Sequence, residues 1–284
     1  MNPGSLHLTP LDSLLYLLAL SGYFTAWAGY TGYLILHRDI YHRLGHAFFI
    51  AALVFHSGLI VSRAAETGVF PLQDLRDAVC FAAWAAALVY VLFHARYKLL
   101  VVGALVGPVI FISMAVYPFI AIRTYDHPDI LNSLWTIFHV LAIFLGNGAF
   151  VLAAAVGAAY LLQERAIKSK RHGFLYRRLP SLDVLDRMGY ACVAFGFPLL
   201  TIGLAAGFVY AQRIWGHWWS WDPKEVWSAV TWFTYAALLH ERVFVGWRGR
   251  KAAWLSIAGL ALALATFVFG SLLFSGHHGQ FTRF

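Results

Sequence analysis

Six of the chain's eleven tryptophans fall within 18 residues. Five of them belong to one stretch, Trp215-Gly216-His217-Trp218-Trp219-Ser220-Trp221-Asp222-Pro223-Lys224-Glu225-Val226-Trp227, and Trp232 follows a turn and a half later. Aromatic belts at membrane surfaces are spread over many helix ends, whereas here five of the eleven tryptophans are on one loop. Flat indoles beside a helix start make a platform for a flat, apolar macrocycle, with Arg213 or Lys224 placed to meet its acidic substituents. The loop's exit is strongly specified. Asp222 reads as an N-cap, Pro223 as the first helical residue and Glu225 as the acid at the third position, so a helix is expected to begin at Pro223.

Histidine adds the second kind of chemistry. An imidazole within lipid is costly and usually binds something or relays protons. His139 lies six residues beyond Ser133, roughly 9–10 Å along its expected helix at ~1.5 Å per residue. His277 and His278 follow the last apolar run. An outer histidine from each of two helices flanking the indole loop is what bis-histidine ligation of heme iron needs. His240, seventeen residues past Pro223, falls about 25 Å down its helix and cannot share a heme with the outer pair. The plainer reading of any one of these is an imidazole bonded to a neighbouring backbone carbonyl, and it is the favoured one for His37, His42, His94 and His172 on the basic side and for His7, His127 and His217 outside.

These residues need elements to hold them. With 61% hydrophobic and 12% charged residues, the expected solvent is lipid, and a soluble globule is excluded. Eight stretches are long enough to cross a bilayer core of about 30 Å: roughly 13–36, 44–62, 77–94, 99–122, 133–162, 189–211, 223–244 and 252–274. The expected fold is an all-α polytopic membrane protein, a bundle of about eight transmembrane helices. Of 21 basic residues, 15 sort to the odd-numbered connections and their flanks, among them Arg38, Arg96, Lys98, Lys168, Arg242 and Arg250. That side is therefore expected to be cytoplasmic, with both termini and the indole loop outside. The +8 charge forms no single patch that would bind nucleic acid. Met1 to Asp12 lacks a basic n-region, so the first span is expected to be retained. The stretch Gln163 to Arg187 reads as a basic surface loop broken at Leu179-Pro180-Ser181. Cys80 and Cys192 lie far apart in apolar runs, which excludes a disulfide scaffold and a Cys-x-x-Cys-His heme attachment site. One membrane domain, 1–284, is expected, with four spans in 1–125 and a core over 131–280 around the loop 213–228.

The string Trp215 to Trp227 resembles the WWD signature of heme-handling proteins. Together with Leu134-Trp135 ahead of His139-Val140, the stretch Leu179 to Gly189, Ala236-Ala237-Leu238-Leu239-His240 and Ser275-Gly276-His277-His278, it makes the chain similar to the CcsA (ResC) family of System II cytochrome c biogenesis. Residues 1–125 match only as apolar spans. Length and span count resemble that family rather than the larger CcmF or the shorter CcmC.

The resemblance implies heme b carried as cargo and presented outside the inner membrane for attachment to apocytochrome c. It implies His139 and His278 as outer iron ligands, with His277 adjacent, His240 as the ligand in transit, and Trp215, Trp218, Trp219, Trp221, Asp222 and Trp227 as the platform. Family ligand sets place the partner of His240 on a CcsB (ResB)-like protein; His46 is a second candidate, in cis. A thioredoxin-like thiol reductant would act indirectly. No nucleophile from this chain is required, so any enzyme activity is that of a component of a cytochrome c heme lyase (holocytochrome c synthase), supplying binding, orientation and redox protection. The alternative is a HemX-like heme-binding regulator of tetrapyrrole metabolism without ligase activity. A respiratory cytochrome b is disfavoured, since His46 and His56 are ten residues apart rather than the 13–14 its stacked hemes use.

Overall fold

The computed structural model describes residues 9–68, 70–72, 74–120, 133–170 and 173–272. Among these every regular element is helical: α1 (Pro10–Leu36), α2 (Asp39–Thr67), α3 (Leu75–Tyr97), α4 (Gly103–Val116, continued by a 3-10 turn Tyr117–Phe119), α5 (Leu134–Lys168), a short α6 (Phe174–Arg178), α7 (Leu182–Trp215), α8 (Pro223–His240, continued by a π turn Glu241–Val245) and α9 (Arg250–Leu272). Four helices, α2, α3, α5 and α7, are long and apolar enough to cross a membrane by length and composition.

The stretch expected to be a loop between Gln163 and Arg187 is largely helix. α5 runs on to Lys168 and α7 starts at Leu182, where the Ser181 hydroxyl accepts from Val184 N. The Pro180-Ser181 break is real but marks a helix start. α4 is shorter than expected and carries Pro108 inside it.

Small residues set the packing, as expected where lipid offers no hydrophobic gain for joining apolar helices and close van der Waals approach must do it. α1 and α2 run antiparallel with Gly22 against Ala52 and Gly29 against Gly45. α5 and α7 form the other tight antiparallel pair: Gly146 and Gly196 lie against each other's backbone, and Gly203 lies against Ile143. The halves meet where Gly148 of α5 rests on Ala85 and Ala86 of α3. α9 closes the second half, with Ala253 on Gly157 of α5 and Thr266 bonded to Thr231 of α8 at 3.3 Å.

The first half carries buried polar groups in pairs. At one end Arg63 meets Asp77 at 3.3 Å, and mid-bundle His56 sits between the Tyr23 hydroxyl and the Cys80 thiol, 3.2 Å from each. At the other end Tyr30 bonds His46, whose ring is 4.2 Å from that of His94, with His42 beside them. Cys80 and Cys192 are buried free thiols.

Candidate functional site

The site is built where α5, α7 and α8 meet the Trp loop. α7 ends at Trp215 and is closed by Gly216 at φ 77°, a left-handed cap that turns the chain sharply into the loop. α8 then starts at Pro223, where the sequence placed it, with a full capping box between Asp222 and Glu225. The Glu225 carboxylate does more than cap. It accepts from Ser220 N at 2.8 Å, Ser220 Oγ at 3.1 Å and Asp222 N at 3.3 Å, while Asp222 Oδ1 accepts from Lys224 N at 2.9 Å. Asp222 and Glu225 are both buried. A buried carboxylate that gathers three donors fixes the backbone between the indoles and the helix.

Held this way, the loop turns indole outward. Trp221 is 78% exposed and Trp218 57% exposed. Trp219 is half-buried, edge-on to Trp221 at 5.6 Å and against Phe208 of α7 at 5.8 Å. Trp227 is half-buried in the second turn of α8. Trp232 is tied back to α7 through its ring N–H to Thr201 at 2.9 Å, so it belongs to the scaffold. His217 is half-buried rather than exposed. Trp221 also has φ 59°, the left-handed region, unfavourable for a bulky side chain. Backbone outliers of this kind cluster at functional sites. Trp221→Gly is expected to leave the melting of the detergent-purified protein within about 1 kcal/mol, relieved strain offsetting the lost Trp219 contact, while weakening binding in a hemin titration.

His139 is seated on α7. Its Nδ1 lies 2.6 Å from Gly203 O, and a carbonyl only accepts, so Nδ1 carries the proton of this bond. One turn earlier, Trp135 donates its ring N–H to Ala206 O at 2.8 Å, and the Arg213 guanidinium stands over that indole at 5.9 Å. α7 thus brings His139, Trp135, Arg213 and, through Phe208, Trp219 into one neighbourhood. An imidazole, indole rings and a guanidinium are thus gathered at the end of the bundle that carries the Trp loop. His277 and His278 lie outside the described residues, as does the side chain of Trp215.

His240 ends α8 at the far end of the bundle, exposed, its ring 4.8 Å from that of Phe244. Beside it the π turn is pinned by Arg242, which makes two 2.7 Å hydrogen bonds to Asp186 of α7, while Gly249 N adds a third donor at 2.6 Å. His46 sits at the same end but in the first half, engaged with Tyr30 and His94. Among the described residues no three His, Cys, Asp or Glu side chains are grouped to hold a metal.

Sequence reading had no signal for the Gly203 carbonyl, for Asp186 or for the hold of Glu225 on Ser220. The four-residue spacing of Gly203 and Gly207, opposite His139, is the one trace of the histidine's seat.

Comparison with known proteins gives a consistent result. Residues 72–278 match the family described as Cytochrome C assembly protein. Proteins named Cytochrome c biogenesis protein CcsA are similar along most of their length: the one from Guillardia theta is 29% identical over 83% of this chain and 84% of its own, and the one from Prochlorococcus marinus (strain MIT 9303) is 31% identical over 81% of each. The solved structure of a protein called Cytochrome c Heme Lyase CcmF shares the fold, with a TM-score of 0.66 at 16% identity. That alignment covers 99% of this chain, which spans about half of the lyase (50%).

Proposed function

Because the chain belongs to the Cytochrome C assembly protein family, as one of its CcsA members, we propose that it binds heme and presents it at the outer face of the cytoplasmic membrane for covalent attachment to apocytochrome c. The observation that carries this reading is the seat of His139, with Nδ1 2.6 Å from Gly203 O on the same stretch of α7 that supports Trp219 through Phe208. An imidazole so oriented is an axial ligand in waiting, and the exposed faces of Trp218 and Trp221 supply the adjoining flat surface.

In this reading the chain is one membrane domain of eight spans with both termini outside, and its cargo is heme b. His139 takes one axial position and His278 the other, with His277 as its neighbour. Occupying both positions keeps oxidants and water from the iron while the vinyl edges stay accessible. Arg213 meets the propionates, with Lys224 close by. Trp215, Trp218, Trp219, Trp221 and Trp227 form the platform, and Asp222 with Glu225 fixes its shape. His240, about 25 Å down α8, holds the cargo in transit. Its exposure on the bundle's flank leaves room for a second ligand from a CcsB (ResB)-like protein, whereas His46 is occupied by Tyr30 and His94. Thiols of the apocytochrome add to the vinyls, and a thioredoxin-like reductant keeps them reduced. The chain contributes positioning and redox protection to this heme lyase rather than a nucleophile.

The test is a pyridine-hemochrome and visible spectrum of purified protein loaded with heme, comparing wild type with His139→Ala, His278→Ala and His240→Ala. The outer variants are expected to lose the low-spin bis-histidine bands and to regain them with added imidazole. Unchanged spectra in all three would refute the ligand assignment.

A further inference from the structure

The strongest unassigned observation lies beneath His139. A methyl group built on Gly207 would stand 2.7 Å from His139 Cε1 and 3.0 Å from its Nδ1, well inside van der Waals contact. The imidazole therefore occupies the space that any other residue's Cβ would fill. Gly203, four residues earlier, is the residue whose carbonyl takes the His139 proton. In an α-helix that same carbonyl is the acceptor for the N–H of residue 207. The histidine reaches a carbonyl already inside a helical ladder, and its ring does so from the space beside the bare Cα of Gly207.

We propose that Gly207 is a positioning residue for the outer heme ligand: its missing side chain lets His139 hold the Gly203 carbonyl, which fixes Nε2 as the ligating atom and strengthens the imidazole as a donor. This rests on His139 being an axial ligand. The chemistry follows from the hydrogen bond. An Nδ1–H that donates to a carbonyl leaves more electron density on Nε2. A stronger donor favours ferric over ferrous iron, so the bond lowers the midpoint potential of a heme held there. With a Cβ at 207 the ring must tilt away, Nδ1 loses its acceptor, and either nitrogen can then carry the proton.

Gly196 supplies the control. A Cβ there would meet Phe150 Cε1 at 2.8 Å and the Gly146 carbonyl oxygen at 2.9 Å, so Gly196→Ala crowds the same α5–α7 seam about three helical turns before Gly207. The experiment measures heme retention, the visible spectrum and the midpoint potential of purified, heme-loaded wild type, Gly207→Ala, Gly196→Ala and His139→Ala, each with and without imidazole.

The expected result is that Gly207→Ala retains heme about tenfold less well, regains low-spin bands with imidazole, and shows a raised midpoint potential in whatever heme it keeps, while Gly196→Ala matches wild type in potential. Wild-type spectrum and potential in Gly207→Ala, with His139→Ala defective, would overturn the positioning role and leave the ligand reading standing. Loss of heme in Gly207→Ala that imidazole does not restore, or an equal rise in potential in Gly196→Ala, would also overturn it, since either marks a general disturbance of the seam. An unaffected His139→Ala would instead remove the ligand reading on which it rests.

Discussion

Glu225→Ala is expected to lower holocytochrome c formation by about 100-fold while the protein still inserts and accumulates. The effect comes through the backbone. Its carboxylate holds Ser220 N, Ser220 Oγ and Asp222 N, so its removal frees the chain on both sides of Trp221 and undoes the capping box of α8. The direct cost is on the order of 2 kcal/mol, too little to unfold the helical bundle but enough to let the platform wander by more than the roughly 1 Å that a positioned reaction tolerates. The measurement is heme-stained cytochrome c from cells carrying each variant, against membrane levels of the protein. Glu225→Gln keeps an acceptor oxygen and should recover part of the yield. Normal yield from Glu225→Ala would mean that the loop keeps its shape without the carboxylate.

The second large effect is on stability. Asp186→Ala is expected to destabilise the protein by about 3–5 kcal/mol, seen as a lowered melting temperature in detergent. The side chains of Asp186 and Arg242 are only 10% and 11% exposed, and the guanidinium also lies 5.0 Å over the Tyr190 ring. Removing the carboxylate leaves a nearly buried cation with the Tyr190 ring and the long 3.5 Å contact to Trp247 O, and strands Gly249 N at the start of α9. Replacing both partners, Asp186→Leu with Arg242→Met, should recover most of the loss, because the penalty belongs to the orphaned charge rather than to the absent pair. If the double variant melts as low as the single one, the hydrogen-bond geometry at the π turn, rather than charge compensation, sets the stability here.

Much of this protein was legible in its sequence because its signals are local. The capping pattern at Asp222 to Glu225 uses neighbours a few residues apart, so it fixed the start of α8 correctly. Apolar runs of about 20 residues announced the long helices. What escaped depends on partners far along the chain: Asp186 to Arg242 spans 56 residues and His139 to Gly203 spans 64. Neither residue type betrays its partner until two helices are set side by side. The basic stretch after Gln163 was misjudged because charge speaks to solvent exposure and says little about whether the backbone is helical. Helices α5 and α7 simply extend past the apolar segments that revealed them.

The α5–α7 seam has a consequence for how the chain can change over time. Gly196, Gly203 and Gly207 turn one side of α7 toward α5 with no room for even a methyl group, while Phe195 and Ile202 on its outer side are well exposed. Substitutions along this helix are therefore filtered by direction: the outer side can drift through any apolar residue, and the inner side is frozen at glycine. A saturation mutagenesis profile of residues 189–211 should show intolerance recurring every three to four positions, set by the spacing of backbone contacts and continuing well away from the tryptophan loop.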